Sequence, residues 1–143
     1  DAEVKTPYTY YGGMKAHRSL VHEGPFDEAL YTSKDEILEG TTFSFFIVKN
    51  ESVITPKLDG RILGSVTRKN LLRIMDAQNI QHSESIISIE DLKSSSEAFI
   101  ASANRDLIPV VSVSGNKIGD GKIGPVYKKL MSLYQQELLK INI

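Results

Sequence analysis

Hydrophobic and polar positions along this chain follow two different periods, and the changes of period mark its elements. Met14, His17, Leu20 and Val21 recur at helical spacing after a Tyr-Gly-Gly turn signal, and Gly24-Pro25 stops them, which predicts a helix over 10–22. Residues 28–32 and 36–39 read as short strands around Ser33-Lys34-Asp35. Residues 42–49 are aromatic and β-branched, with Phe43, Phe45 and Ile47 on one face and Phe46 and Val48 on the other, so both faces of this strand are expected to be buried. Asn50-Glu51 turns the chain into Val53-Ile54-Thr55, which Pro56 ends, and the run from 28 to 55 reads as a β-meander. Thr67 reads as the N-cap of a helix carrying Leu71, Leu72, Ile74 and Met75. A strand over 84–87 leads to Ser88, which with Asp91 forms a capping box opening a short helical turn. Strands are expected over 98–101 and 110–113, with a hairpin turn at Gly115-Asn116. Pro125 suits the first position of a last helix carrying Val126, Leu130, Met131, Tyr134, Leu138 and Ile141. The sum is a mixed α/β (α+β) fold, antiparallel strands interleaved with about three helices.

Composition narrows the function classes. The 143 residues suit a single domain over 1–143, and 41% hydrophobic with 24% charged residues is an ordinary globular balance. A net charge of −1 gives no electrostatic case for nucleic acid or an anionic membrane. Without cysteine there is no disulfide scaffold, thiolate metal site or cysteine nucleophile. No apolar run is long enough to cross a bilayer and the first residues, DAEVK, hold no signal-peptide core, so a cytoplasmic location is the default expectation. His17, His22 and His82 lack metal-ligand spacing, so no metal site is expected. Gly119-Asp120-Gly121-Lys122-Ile123-Gly124 spells Gly-x-Gly-x-x-Gly, but the chain ends one helix later, so it reads as a loop rather than a dinucleotide site.

Four segments, taken together and in order, carry more. They are Leu38-Glu39-Gly40-Thr41-Thr42 followed by Phe45-Phe46-Ile47-Val48-Lys49; Ile62 to Arg68; Ala101 to Val110; and Ile118 to Val126. This set resembles the C-terminal domain of the fold type IV pyridoxal-phosphate enzymes, the family of branched-chain and D-amino-acid aminotransferases and aminodeoxychorismate lyase. The resemblance implies the D-amino-acid aminotransferase-like fold, a β-meander or pseudo-barrel with its helices, and pyridoxal 5'-phosphate as cofactor. It assigns Lys5 as the Schiff-base lysine, a primary amine able to be neutral in the site and then act as base. Glu39 would pair with the pyridinium nitrogen, keeping the ring an electron sink, and Gly40 would let the backbone approach a ligand. Tyr10, with Tyr11 beside it, would bond the cofactor's phenolate oxygen. Ser65-Val66-Thr67 matches the phosphate-binding turn, where a helix N-terminus offers backbone N–H groups to an anion, and Leu63 is placed with it among the cofactor contacts.

The sequence also departs from the family pattern. The second phosphate-binding hydroxyl falls on Ala103, with Ser102 next to it as a substitute. Ser44 stands where an asparagine is usual, and Asn104-Arg105-Asp106 replaces the usual substrate-side stretch. Arg105 is a candidate for reading a substrate carboxylate, a surface salt bridge being the competing reading. The family's N-terminal domain would precede Lys5, so the resemblance implies a C-terminal domain alone, inactive by itself. The function expected is a pyridoxal-phosphate aminotransferase acting on an amino acid and a 2-oxo acid, a homodimer when full-length. The alternatives are aminodeoxychorismate lyase, forming 4-aminobenzoate, and a non-catalytic binding domain derived from the family.

Overall fold

The computed structural model describes residues 18–141. In chain order the strands are β1 (Leu30–Ser33), β2 (Glu36–Gly40), β3 (Ser44–Lys49), β4 (Ser52–Thr55), β5 (His82–Glu84), β6 (Ile87–Ser88), β7 (Glu97–Ser102), β8 (Asp106–Val110), β9 (Ser112–Val113) and β10 (Asn116–Lys117). The helices are α1 (Val66–Ala77), α2 (Ile89–Ser94) and α3 (Pro125–Ile141), after a π-helical turn at Arg18–His22. Only that turn of the helix expected over 10–22 falls within the described residues.

Strand β3 is the middle of a five-stranded sheet in the order β5-β4-β3-β7-β8. All its pairings, and that of β7 with β8, are antiparallel, whereas β4 and β5 run parallel. Parallel neighbours need a long crossover, and here α1 supplies it. As the sequence pattern required, β3 is covered on both faces. Phe46 and Val48 join Phe99, Leu71, Met75 and Leu130 in a core beneath α1 and α3. Phe43, Phe45 and Ile47 join Ile37, Ile87, Leu92, Ile100 and Ile118 in a second core on the opposite face. The rings of Phe46 and Phe99 stack across the paired strands with centroids 4.9 Å apart, a geometry that adds roughly 0.5–1.5 kcal/mol to their burial.

The meander expected over 28–55 is divided. β1 and β2 pair with β6 in a separate three-stranded sheet, and the chain changes sheets between Gly40 and Ser44. Gly40 allows this bend, because a Cβ there would lie 1.9 Å from the Phe43 ring. The strand read over 84–87 is two strands in two sheets, and that read over 110–113 is likewise divided between the end of β8, which begins at Asp106, and β9. Ser114 and Gly115, both at positive φ, form the hairpin turn one residue ahead of the expected pair. The capping box at Ser88 and Asp91 forms as read: the Ser88 hydroxyl accepts from the Asp91 N–H at 3.0 Å and Asp91 accepts from the Ser88 N–H at 3.0 Å.

The Gly-x-Gly-x-x-Gly stretch is a packing loop. Gly119 has φ 56°, and a Cβ there would lie 2.2 Å from the Ser96 carbonyl oxygen. The N-terminus of α3 that follows is answered from inside the protein. The buried Glu97 carboxylate accepts from the N–H groups of Val126 and Tyr127 at 3.1 and 2.9 Å. An external anion therefore has no place at that helix tip.

Candidate functional site

A cavity of about 500 Å³ opens where three pieces of backbone converge: the end of β2, the N-terminus of α1 and the turn after β7. Its wall contains Glu39 and Gly40, Leu63, Ser65, Val66 and Thr67, and Ser102 and Ala103. These residues lie far apart in sequence and are all of the described positions assigned to the cofactor. Lys5 and Tyr10 lie outside the described residues.

Glu39 is the penultimate residue of β2, and its Oε2 accepts the N–H of Leu63 at 3.1 Å. That bond ties the strand to the loop leading into α1. The loop turns sharply at Gly64, with the Ser65 N–H donating to the Leu63 carbonyl at 3.0 Å. Ser65, not Thr67, is the N-cap of α1: its hydroxyl accepts the Arg68 N–H at 3.1 Å and its carbonyl accepts the Lys69 N–H at 3.1 Å. The cap lies two residues ahead of the sequence reading because Thr67 is already helical and buried. Ser65 is held in turn by Ser44, with the two hydroxyl oxygens 3.1 Å apart. Thus the serine standing where the family usually has asparagine anchors the cap to β3.

These bonds leave the N–H groups of Val66 and Thr67 without intrahelical acceptors, as helix geometry demands. Both residues line the cavity, and Val66 is 71% exposed. The tips of α1 and α3 therefore differ: an internal carboxylate occupies the second, and among the described residues the first faces an open cavity. Arg68 is drawn inward, 1% exposed, with Nη2 donating to the Pro56 carbonyl at 2.8 Å and to Glu84 at 2.6 Å. It fastens α1 to the flanking strand ends and does not line the cavity.

The wall includes residues that sequence reasoning did not assign: Tyr31, Thr41, Thr42, Phe43, Ser44, Arg61 and Gly64. Thr41 and Thr42 were reachable as neighbours of Glu39-Gly40. Tyr31 had no local signal, because the pairing of β1 with β2 brings it there. Arg61 sits at the wall in a carboxylate clamp, its Nη2 2.6 Å from both Asp59 and Glu36. Hydrogen bonding to Asp59, then to Glu36, holds its pKa above the ordinary guanidinium value. Gly40 is buried and its approach is to the Phe43 ring, so the reason for glycine here is internal packing. Arg105 is not in the wall; its guanidinium is bonded to Glu28. The competing reading of Arg105, a surface ion pair, is thus the arrangement seen. Among the described residues no three His, Cys, Asp or Glu side chains gather as a metal site.

Comparison with known proteins defines the class. The family described as amino-transferase class IV matches residues 1–113. The chain belongs to the class IV aminotransferase family. It is 30% identical over 103 residues to D-alanine aminotransferase of Staphylococcus haemolyticus, covering 72% of this chain and 36% of that protein. It is 32% identical over 111 residues to a probable branched-chain-amino-acid aminotransferase of Aquifex aeolicus, covering 76% and 36%. The crystal structure of the branched-chain aminotransferase of Thermobaculum terrenum in its PLP form superposes with a TM-score of 0.86 at 23% identity, covering 94% of this chain and 44% of that one. The fold is thus that of part of a class IV aminotransferase, and the chain spans less than half the length of these relatives.

Proposed function

We propose that this chain is the cofactor-binding part of a pyridoxal-phosphate aminotransferase that moves an amino group between an amino acid and a 2-oxo acid. The observation that carries the proposal is the presence, in the wall of one cavity, of the Glu39 carboxylate and the uncapped N–H groups of α1. Pyridoxal phosphate carries a basic ring nitrogen and a phosphate, and these two features answer them. A family solved in its PLP form at this fold supports the same choice. Bound there, the cofactor supplies an electron sink for the carbanion left when the substrate α-carbon loses its proton.

The chain's residues do the rest. Glu39, oriented by the Leu63 N–H, would accept a hydrogen bond from the protonated ring nitrogen and so keep that nitrogen cationic. Val66 and Thr67 donate their N–H groups to the phosphate, where the helix macrodipole favours negative charge. The Thr67 hydroxyl adds a donor, and Ser102, beside Ala103, adds a second on the far strand. Leu63 packs in the wall between carboxylate and helix tip. Tyr10 bonds the phenolate oxygen, and the Lys5 amine carries the cofactor and takes the α-proton; both roles come from the family resemblance. The resemblance supports a homodimer for the full-length protein. A near-neutral charge fits small-molecule substrates rather than nucleic acid. No helix among the described residues is long and apolar enough to cross a membrane, in keeping with a cytoplasmic enzyme.

Arg105 is engaged by Glu28, so the substrate carboxylate is left to other groups. The altered stretch at Asn104-Arg105-Asp106 leaves one second reading open, the lyase that forms 4-aminobenzoate. The test is to incubate the full-length protein with pyridoxal phosphate, reduce with borohydride and map the labelled peptide. A label on Lys5, absent from Lys5→Ala, is expected. A colourless protein without adduct would sink the enzyme reading in favour of a binding domain. Amino transfer to 2-oxoglutarate without aminobenzoate from aminodeoxychorismate then separates transferase from lyase.

A further inference from the structure

Two polar atoms in the cavity wall are buried and have no hydrogen-bond partner among the described residues: the Tyr31 hydroxyl and Thr41 Oγ1. Leaving such an atom buried and unsatisfied costs stability, because it has given up its bonds to water. Unsatisfied buried groups concentrated in one cavity point to what fills it.

The backbone shows how Tyr31 comes to be there. β1 and β2 pair with Leu30 opposite Gly40 and Thr32 opposite Ile37, so Tyr31 alone faces the two residues Leu38 and Glu39. That is a β-bulge, which bends a strand and re-aims side chains. Continued from the hairpin end, a regular ladder would set Tyr31 opposite Leu38; the bulge adds Glu39 to the residues it faces, and the phenol stands in the same wall as the Glu39 carboxylate. Burial, and then the negative charge of Glu39, push the Tyr31 phenol above its ordinary pKa. It therefore stays protonated and serves as a donor at neutral pH. Thr41, two residues past Glu39, brings a second hydroxyl to the wall.

We propose that the Tyr31 and Thr41 hydroxyls are ligand contacts, the two donors with which the bulged edge of β1 and β2 binds acceptor oxygens of the cofactor. The wall then offers both polarities: Glu39 accepts from a ring N–H, and the two hydroxyls donate to oxygens beside it. A phosphorylated hydroxypyridine presents that combination, whereas a simple anion such as inorganic phosphate does not. The inference rests on the cofactor reading above.

The test uses the whole chain and pyridoxamine 5'-phosphate, which binds without forming a bond to lysine. Dissociation constants by fluorescence titration and thermal midpoints without ligand are measured for the unaltered chain, Tyr31→Phe, Thr41→Val and Thr41→Ser. The expected result is affinity lowered roughly threefold to tenfold in Tyr31→Phe and in Thr41→Val. Thr41→Ser, which keeps the hydroxyl, retains affinity. The ligand-free midpoints of Tyr31→Phe and Thr41→Val are equal to or above that of the unaltered chain, because an unpaired polar group has been removed. A structural hydroxyl would instead lower the ligand-free midpoint, and that result overturns the inference. Equal affinity in both variants overturns it as well and leaves the cofactor reading standing. Failure of the unaltered chain to bind pyridoxamine 5'-phosphate removes the cofactor reading itself, and this inference with it.

Discussion

Glu97 joins two distant parts of the fold through a single carboxylate, and its removal is the sharpest test of how the scaffold is held. The side chain is 6% exposed and accepts from Val126 and Tyr127 at 3.1 and 2.9 Å, at the N-terminus of α3. Hydrogen bonds to a charged group contribute about 1.5–3 kcal/mol each. At the lower figure, Glu97→Ala costs about 3 kcal/mol, a large part of the roughly 5–15 kcal/mol that holds a domain folded. Glu97→Gln keeps one acceptor but sets an NH2 group against the second N–H, and should cost about 1.5 kcal/mol. Urea denaturation followed by far-UV circular dichroism reads both. The neighbouring glycine sharpens the test, because a Cβ at Gly124 would lie 2.1 Å from the Glu97 carboxyl carbon. Gly124→Ala should therefore destabilise by about 1–3 kcal/mol in the unaltered chain and far less once Glu97 is alanine. Glu97→Ala within 0.5 kcal/mol of the unaltered chain, or strict additivity of the two substitutions, would refute the reasoning.

Other predictions follow from the same geometry. Gly40→Ala meets the Phe43 ring at 1.9 Å and should lower stability by about 1–3 kcal/mol in a thermal melt, with Phe43→Ala relieving part of the clash. Ser65→Ala removes the cap of α1 and the partner of Ser44, and should cost about 0.5–2 kcal/mol while weakening pyridoxamine phosphate binding. Asp91, bonded first to Lys49 and then to Ser88, has its pKa lowered from 3.8 to about 2. A lowered carboxylate pKa gives stability that is present above the unfolded value and lost as pH falls through the folded one. Acid titration by circular dichroism should thus show stability falling between about pH 4 and pH 2, and Asp91→Asn should flatten the curve in that window. An unchanged acid profile in Asp91→Asn would show that the Lys49 bond does not shape it.

Local chemistry was legible wherever neighbours in sequence are also neighbours in space. The two-faced burial of β3 follows from its unbroken apolar run, and the capping box at Ser88 from residues three apart. Thr67 misled as a cap because Ser65 and Thr67, two residues apart, are both capping residue types, and only the backbone decides where helical geometry begins. The likeness of four ordered segments placed Glu39, Leu63 and Ser65 to Thr67 in one site, and they do share a wall.

By itself, then, the sequence determined the periods, the capping box at Ser88 and the residue types able to hold a phosphorylated pyridine. Tertiary structure alone decided which helix tip is open to a ligand. Both α1 and α3 begin after glycine-containing turns, and nothing local marks that Glu97, from a strand before it, fills one of them. It likewise decided that a bulge would carry Tyr31 to the side of Glu39. Strand register and the reach of a buried carboxylate are long-range properties, set by which surfaces pack together, and no window of the chain contains both partners.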